Sequence, residues 1–188
     1  ERYLMWLFAT LPGISKVGSY TGAGTGTSKN INCGFTSGAR FVLIKRVDST
    51  GDWFTFNTAH GIVSGNDPYK ALSSATVAST TTDYIDPLSS GFTITSSAPA
   101  TLNASGGTYV AYLFAHNNSD GGFGPDSEDI IKCDKIDSTS DDTVNVTLGF
   151  EPQFIMIKKS STTGDWQVFD SMRGMPHGTD DQILAWNT

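Results

Sequence analysis

Phe41-Val42-Leu43-Ile44-Lys45-Arg46 returns later in the same chain as Phe154-Ile155-Met156-Ile157-Lys158-Lys159, and Thr50-Gly51-Asp52-Trp53 returns as Thr163-Gly164-Asp165-Trp166. The match runs without a gap from 41–62 to 154–175, a spacing of 113, and nine of its 22 positions are identical. The apolar run that ends in Lys45-Arg46 reads as a strand covered on both faces at one end. Asp48-Ser49-Thr50-Gly51-Asp52 is a run of turn formers, and Trp53-Phe54-Thr55-Phe56-Asn57 resumes a two-residue alternation. Together they predict a β-hairpin, made twice.

A second self-match links Tyr3-Leu4-Met5-Trp6-Leu7-Phe8-Ala9 to Tyr109-Val110-Ala111-Tyr112-Leu113-Phe114-Ala115, at a spacing of 106. Similarity at a fixed spacing marks an array, and a period of about a hundred residues suits a small domain better than a solenoid coil. The expected organisation has four parts. Residues 1–15 are the final strand of a preceding repeat, and residues 16–115 are a complete β-sandwich repeat. Residues 116–131 are a polar linker. Residues 132–188 begin a second, incomplete repeat, with Asn187-Thr188 in line with Ser74-Ala75. The chain then reads as a window on a longer array; the alternative is a complete protein whose strand 1–9 closes the shorter half. By the repeat logic 3–9 belongs to a sheet of an upstream copy; the arrangement expected in a compact chain instead adds it to the incomplete copy, in place of the strand that copy lacks, within the chain or from a neighbouring subunit.

Further strands are expected at 30–35, 91–95 and 109–115, with a tight turn at 103–107. Only 67–72 and 180–185 hint at a helical turn. Short strands with turn signals about every ten residues predict an all-β fold of tandem antiparallel β-sandwich repeats, jelly-roll-like in character.

Composition agrees. Aromatic residues make up 11% and charged residues only 16%, with 20 glycines, a profile closer to an extracellular or virion β-protein than to a cytosolic helical enzyme. A net charge of −7 disfavours binding to nucleic acid through phosphates. No run of 18 apolar residues predicts a membrane-spanning helix. Cys33 aligns with Leu148 and Cys133 with Val17, so both are expected as reduced, largely buried thiols acting as small hydrophobes. A disulfide between the copies is the lesser reading.

The ordered set Gly-Phe, an apolar strand ending in Ile-Lys-Lys/Arg, Thr-Gly-Asp-Trp, Phe-Asp/Asn-Ser/Thr and Arg/His-Gly resembles modules of bacteriophage tail-fibre and related virion proteins. Their later part resembles Gly91-Phe92 and Asn103-Ala104-Ser105-Gly106-Gly107-Thr108-Tyr109, followed by the aromatic strand to Ala115. The resemblance covers most of the chain. It implies a virion-surface β-sandwich repeat of phages of aquatic bacteria, and it supplies no catalytic residues.

Candidate binding residues come from the repeated motif. Trp53 and Trp166 hold one position in both copies, either capping the core under the hairpin or offering a stacking platform to a sugar ring. Asp52 and Asp165 precede them in the turn, where a carboxylate usually accepts backbone N–H bonds. His60 aligns with Arg173, an exchange that suits carboxylate pairing and speaks against general-base chemistry. The acidic stretches 126–129 and 137–142 lack EF-hand spacing, and Gly22-Ala23-Gly24-Thr25-Gly26 lacks the lysine of a phosphate loop. No metal and no cofactor is therefore expected.

The sequence reading is a non-enzymatic phage structural protein at the virion surface, a segment of a tail fibre, spike or head-attached appendage that displays sandwiches for host attachment. Its partners would be itself (by analogy a homotrimer), other virion proteins and host glycan, with neither nucleic acid nor membrane insertion. The alternatives are a secreted lectin-like or carbohydrate-active domain, and a capsid decoration or filament subunit.

Overall fold

In a computed structural model, the structure describes residues 5–58, 61–79, 82–115, 122–123, 131–137, 144–175 and 183–187. The first strands are β1 (Ser15–Thr21), β2 (Lys29–Asn32), β3 (Ala39–Arg46), β4 (Trp53–Asn57), β5 (Lys70–Ala71), β6 (Ile85–Leu88) and β7 (Gly91–Ile94). A four-residue helix α1 (Ala100–Asn103) precedes β8 (Thr108–Ala115). Then come β9 (Gly122–Phe123), β10 (Ile131–Lys132), β11 (Phe154–Lys158), β12 (Trp166–Asp170) and β13 (Leu184–Ala185).

Every pairing is antiparallel. A five-stranded sheet runs β1-β8-β3-β4-β5 and a three-stranded sheet runs β2-β7-β6. The two-residue period decides what lies between them. Val42 and Ile44 of β3, Phe54 and Phe56 of β4, and Tyr109, Ala111 and Leu113 of β8 face the same core as Ile85, Phe92 and Ile94 of the smaller sheet. Full burial of such side chains stabilises by about 1.5–3 kcal/mol each. Among the described residues, the strands from β1 to β8 thus form a β-sandwich between Ser15 and Ala115. Pro87 sits in β6, at the sheet edge, where its missing N–H breaks no ladder bond. Tyr20 and Tyr109 stack at 4.8 Å, and their hydroxyls tie β1 and β8 to α1: Tyr20 donates to Leu102 O (2.9 Å), Tyr109 to Ala100 O (2.7 Å).

Four expectations need correction. Where 67–72 and 180–185 hint at helical turns, the described residues form short strands, β5 at Lys70–Ala71 and β13 at Leu184–Ala185, because each pairs with the second strand of its hairpin; the helical turn lies at α1 instead. Residues 5–10 form no ladder: Ala9 O accepts from Ser15 Oγ (2.8 Å), and the segment is held by its rings. Trp6 packs on Phe154 (5.7 Å) and Trp186 (5.8 Å), while Phe8 packs on Tyr112 (6.3 Å) and Phe114 (6.1 Å). Aromatic contact with β8 of the five-stranded sheet and with β11 of a further sheet, β11-β12-β13, in place of strand pairing, joins this segment to the fold. The 116–131 stretch also contains part of a ladder, β9 with β10, and the chain then returns to the first sandwich. Ile131 and Cys133 pack against its core, and Arg40, itself buried, donates to Cys133 O (3.0 Å). Residues 131–133 therefore serve the first sandwich rather than opening a second. Both cysteines are free, Cys33 buried and Cys133 half-buried. Burial pushes the Cys33 thiol up to about 11 and Cys133 to about 12, which keeps both in the thiol form at neutral pH.

Candidate functional site

The repeated hairpin is made as its sequence demands, twice. β3 pairs with β4 as Phe41↔Asn57 through Lys45↔Trp53, and β11 pairs with β12 as Phe154↔Asp170 through Lys158↔Trp166, every partner 113 residues on. The bonds around the hairpins repeat too. Lys45 and Lys158 each reach across the turn to a carbonyl, of Gly51 and Gly164. Thr58 N donates to Arg40 O (2.9 Å), as Ser171 N does to Gln153 O (3.0 Å). Gly61 N donates to Asn57 O and Gly174 N to Asp170 O, both glycines at positive φ (129° and 112°) where a side chain would be strained.

Beyond the hairpin the spacing becomes 114. Leu72 N donates to Trp53 O (2.8 Å) and Trp186 N to Trp166 O (3.2 Å). One residue has been added between hairpin and third strand, so Asn187 stands where Ser73 does. That position holds the turn carboxylate: Ser73 Oγ donates to Asp52 Oδ1 (2.7 Å), and Asn187 Nδ2 donates to Asp165 Oδ1 (2.8 Å). Both aspartates are exposed, and each is held by a neutral side-chain donor. The gapless alignment could not find Ser73 and Asn187, since it places Asn187 opposite Ser74.

The tryptophans part company. Trp53 is half-buried on the face opposite the core, its ring 6.0 Å from Tyr112. That outer face is an aromatic shelf: Phe41 meets Phe114 at 5.9 Å, and Phe8 covers Phe114 and Tyr112. So Trp53 does not point into the core as a cap. Trp166 is buried and donates Nε1–H to Ala71 O (3.0 Å). Gly164 N and Lys158 Nζ both donate to Ala75 O at 2.9 Å, so the second hairpin docks on the loop after β5. At this joint burial, and then the Lys158 ammonium, brings Lys70 down to about 8.

Arg173 pairs with a carboxylate, as its exchange with His60 suggests. Its Nε and Nη2 both lie 2.6 Å from Asp170 Oδ2, and Nη2 also donates to Val168 O (3.1 Å). Burial alone would raise the Asp170 carboxyl, but the Arg173 hydrogen bonds and charge hold it below the ordinary carboxylate range. His60 lies outside the described residues, as do acidic residues 126–129 and 138–142. Among the described residues, no group of three or more His, Cys, Asp or Glu is placed to hold a metal.

One buried carboxylate escaped the sequence reading. Asp67, with no exposed surface, accepts from Val63 N (3.2 Å) through Oδ1 and from Ile85 N (3.0 Å) through Oδ2. It ties the loop before β5 to the start of β6. Burial pushes its carboxyl up to about 6, against the pull of those two amides. Nothing in a lone Asp beside a proline signals burial.

Taken together, these features define an all-β sandwich carrying a second, smaller hairpin sheet, with its repeated polar groups spent on turn geometry. By sequence the chain belongs to the family described as Domain of unknown function (DUF7483), which matches residues 1–118 and 136–188. No curated protein and no solved structure matches the chain.

Proposed function

We propose that this protein is a structural attachment segment of a phage virion, a tail-fibre, spike or head-appendage piece that displays β-sandwich units outward and acts without catalysis. One observation carries the reading: the same hairpin, with the same turn clamp, is built twice, and the second is joined to the first unit by hydrogen bonds from Trp166, Lys158 and Gly164 to the Ala71 and Ala75 carbonyls. Repetition of a rigid element whose polar groups are spent on its own turn geometry suits display in series, where weak contacts add by avidity. The turn aspartates are held by neutral donors, an arrangement that serves geometry rather than proton transfer.

Purified phage particles encoding the chain provide the test. Antibody raised against it should label an appendage by immunogold microscopy, and digestion of the particles should yield its peptides. Particles without it, with the chain found only in culture medium, would overturn the reading. A lectin-like role is favoured by one feature, the half-buried Trp53 beside exposed Asp52. Saturable glycan binding lost in Trp53→Ala, with no chain in particles, would establish that role instead.

A further inference from the structure

The two hairpins share a register but bury opposite faces. In the first, Val42, Ile44, Phe54 and Phe56 form the sandwich core. Their counterparts are Ile155, Ile157, Gln167 and Phe169, of which Ile157 is 41% exposed, Gln167 is exposed and the other two are half-buried. The second hairpin buries the other side, through Trp166, Val168 and Asp170. Its edge differs as well. β3 has antiparallel β8 beside it, whereas β11 is the end strand of its three-stranded sheet, with no further ladder among the described residues.

We infer that the free edge of β11 is a self-association surface, on which β11 of a second copy lies antiparallel across a two-fold axis. An exposed edge strand is a template for another strand, and a two-fold axis normal to the sheet gives the same antiparallel direction that β8 has on β3. Centred on Met156, the register sets Ile155 against Ile157 of the other copy, twice, and Phe154 against Lys158. No like charges meet, although each copy carries −7. The only charge on the strand, Lys158, already turns its Nζ inward to Ala75 O and Gly164 O. The result is a continuous six-stranded sheet whose apolar face joins both copies.

This deepens the self-association part of the appendage reading and makes the pairing two-fold, not three-fold. The experiment is mass measurement by light scattering over a range of protein concentrations, on the full chain. A dimer is expected, and oxidised Met156→Cys should give a covalent dimer that the native protein, whose Cys33 is buried and Cys133 packed against the core, does not. The double variant Ile155→Lys/Ile157→Lys, which sets like charges opposite each other on the outward face, should be monomeric with unchanged far-UV dichroism. A monomer at all concentrations, a trimer, or a dimer that survives the double variant without Met156→Cys cross-linking would overturn the inference. Particle labelling is read separately, so loss of the dimer and loss of the appendage role are distinguishable.

Discussion

The β3–β4 and β11–β12 hairpins are the same object in two settings. Nine identical residues, one register and one turn clamp give each the same backbone. Yet the first buries Ile44 and Phe56 completely, while the second turns Ile157 outward and buries Trp166 and Val168. Local sequence therefore decides the hairpin, and neighbouring elements decide which face is the core. β6 and β7 cover the first from one side; β5 with the loop after it and the Trp6 ring meet the second from the other.

The largest expected contrast is between equivalent phenylalanines. Phe56→Ala should cost about 3–5 kcal/mol in urea unfolding, since it opens a cavity in a closed core. Phe169→Ala, at the matching position, should cost no more than about 1–2 kcal/mol because its ring is half-exposed. Equal losses would erase the difference between the two settings.

The tryptophans should reverse that order. Trp166→Ala removes a buried ring and a hydrogen bond to Ala71 O, for about 3–4 kcal/mol. Trp53→Ala removes a half-buried ring and should cost about 1–3 kcal/mol. A larger loss at Trp53 would mean that the second hairpin is not docked through its indole.

Titration between pH 5 and 8 should act through Asp67 of the first region. The folded carboxyl of Asp67 titrates near 6, above the ordinary unfolded value, so its contribution is complete below about 4 and is lost as pH rises through about 6. Unfolding free energy at pH 8 should therefore fall below that at pH 5 by about 1–3 kcal/mol. Asp67→Asn should flatten this slope while lowering stability overall, because an amide cannot accept from both Val63 N and Ile85 N. A slope unchanged by the substitution would remove Asp67 as its source.

The turn clamps should give the smallest effects. Ser73→Ala and Asn187→Ala each remove one exposed hydrogen bond and should cost about 0.5–1 kcal/mol, by similar amounts if the positions are equivalent.

Much of this was legible in the residues. The gapless self-match contained the hairpin register, and the turn formers located the bend. The choice of buried face was not legible. Phe41 and Leu43 on one side of β3 are as apolar as Val42 and Ile44 on the other, and the same holds for Phe154, Met156, Ile155 and Ile157. When both faces are apolar, periodicity cannot say which one meets a neighbour. The added residue before the third strand was hidden for a different reason. That strand pairs over only two residues, too short to register in an alignment. Residues 3–9 misled through their likeness to β8: an aromatic run suits a strand, but Trp6 and Phe8 reach two different sheets, and a flat ladder cannot serve both.

Thiol labelling tests the opposed burial most directly. Ile44→Cys and Ile157→Cys place a sulfur at equivalent positions of the two hairpins, against a background in which Cys33 and Cys133 are buried or packed. Labelling is done at a concentration where the chain is monomeric, so that the cross-strand contact at β11 does not mask Ile157. Under native conditions Ile157→Cys should react with a maleimide about as fast as an exposed thiol, while Ile44→Cys reacts only on unfolding. Equal protection at both positions would contradict the opposed faces, and with them the reading of the second hairpin as a docked copy whose core side is open.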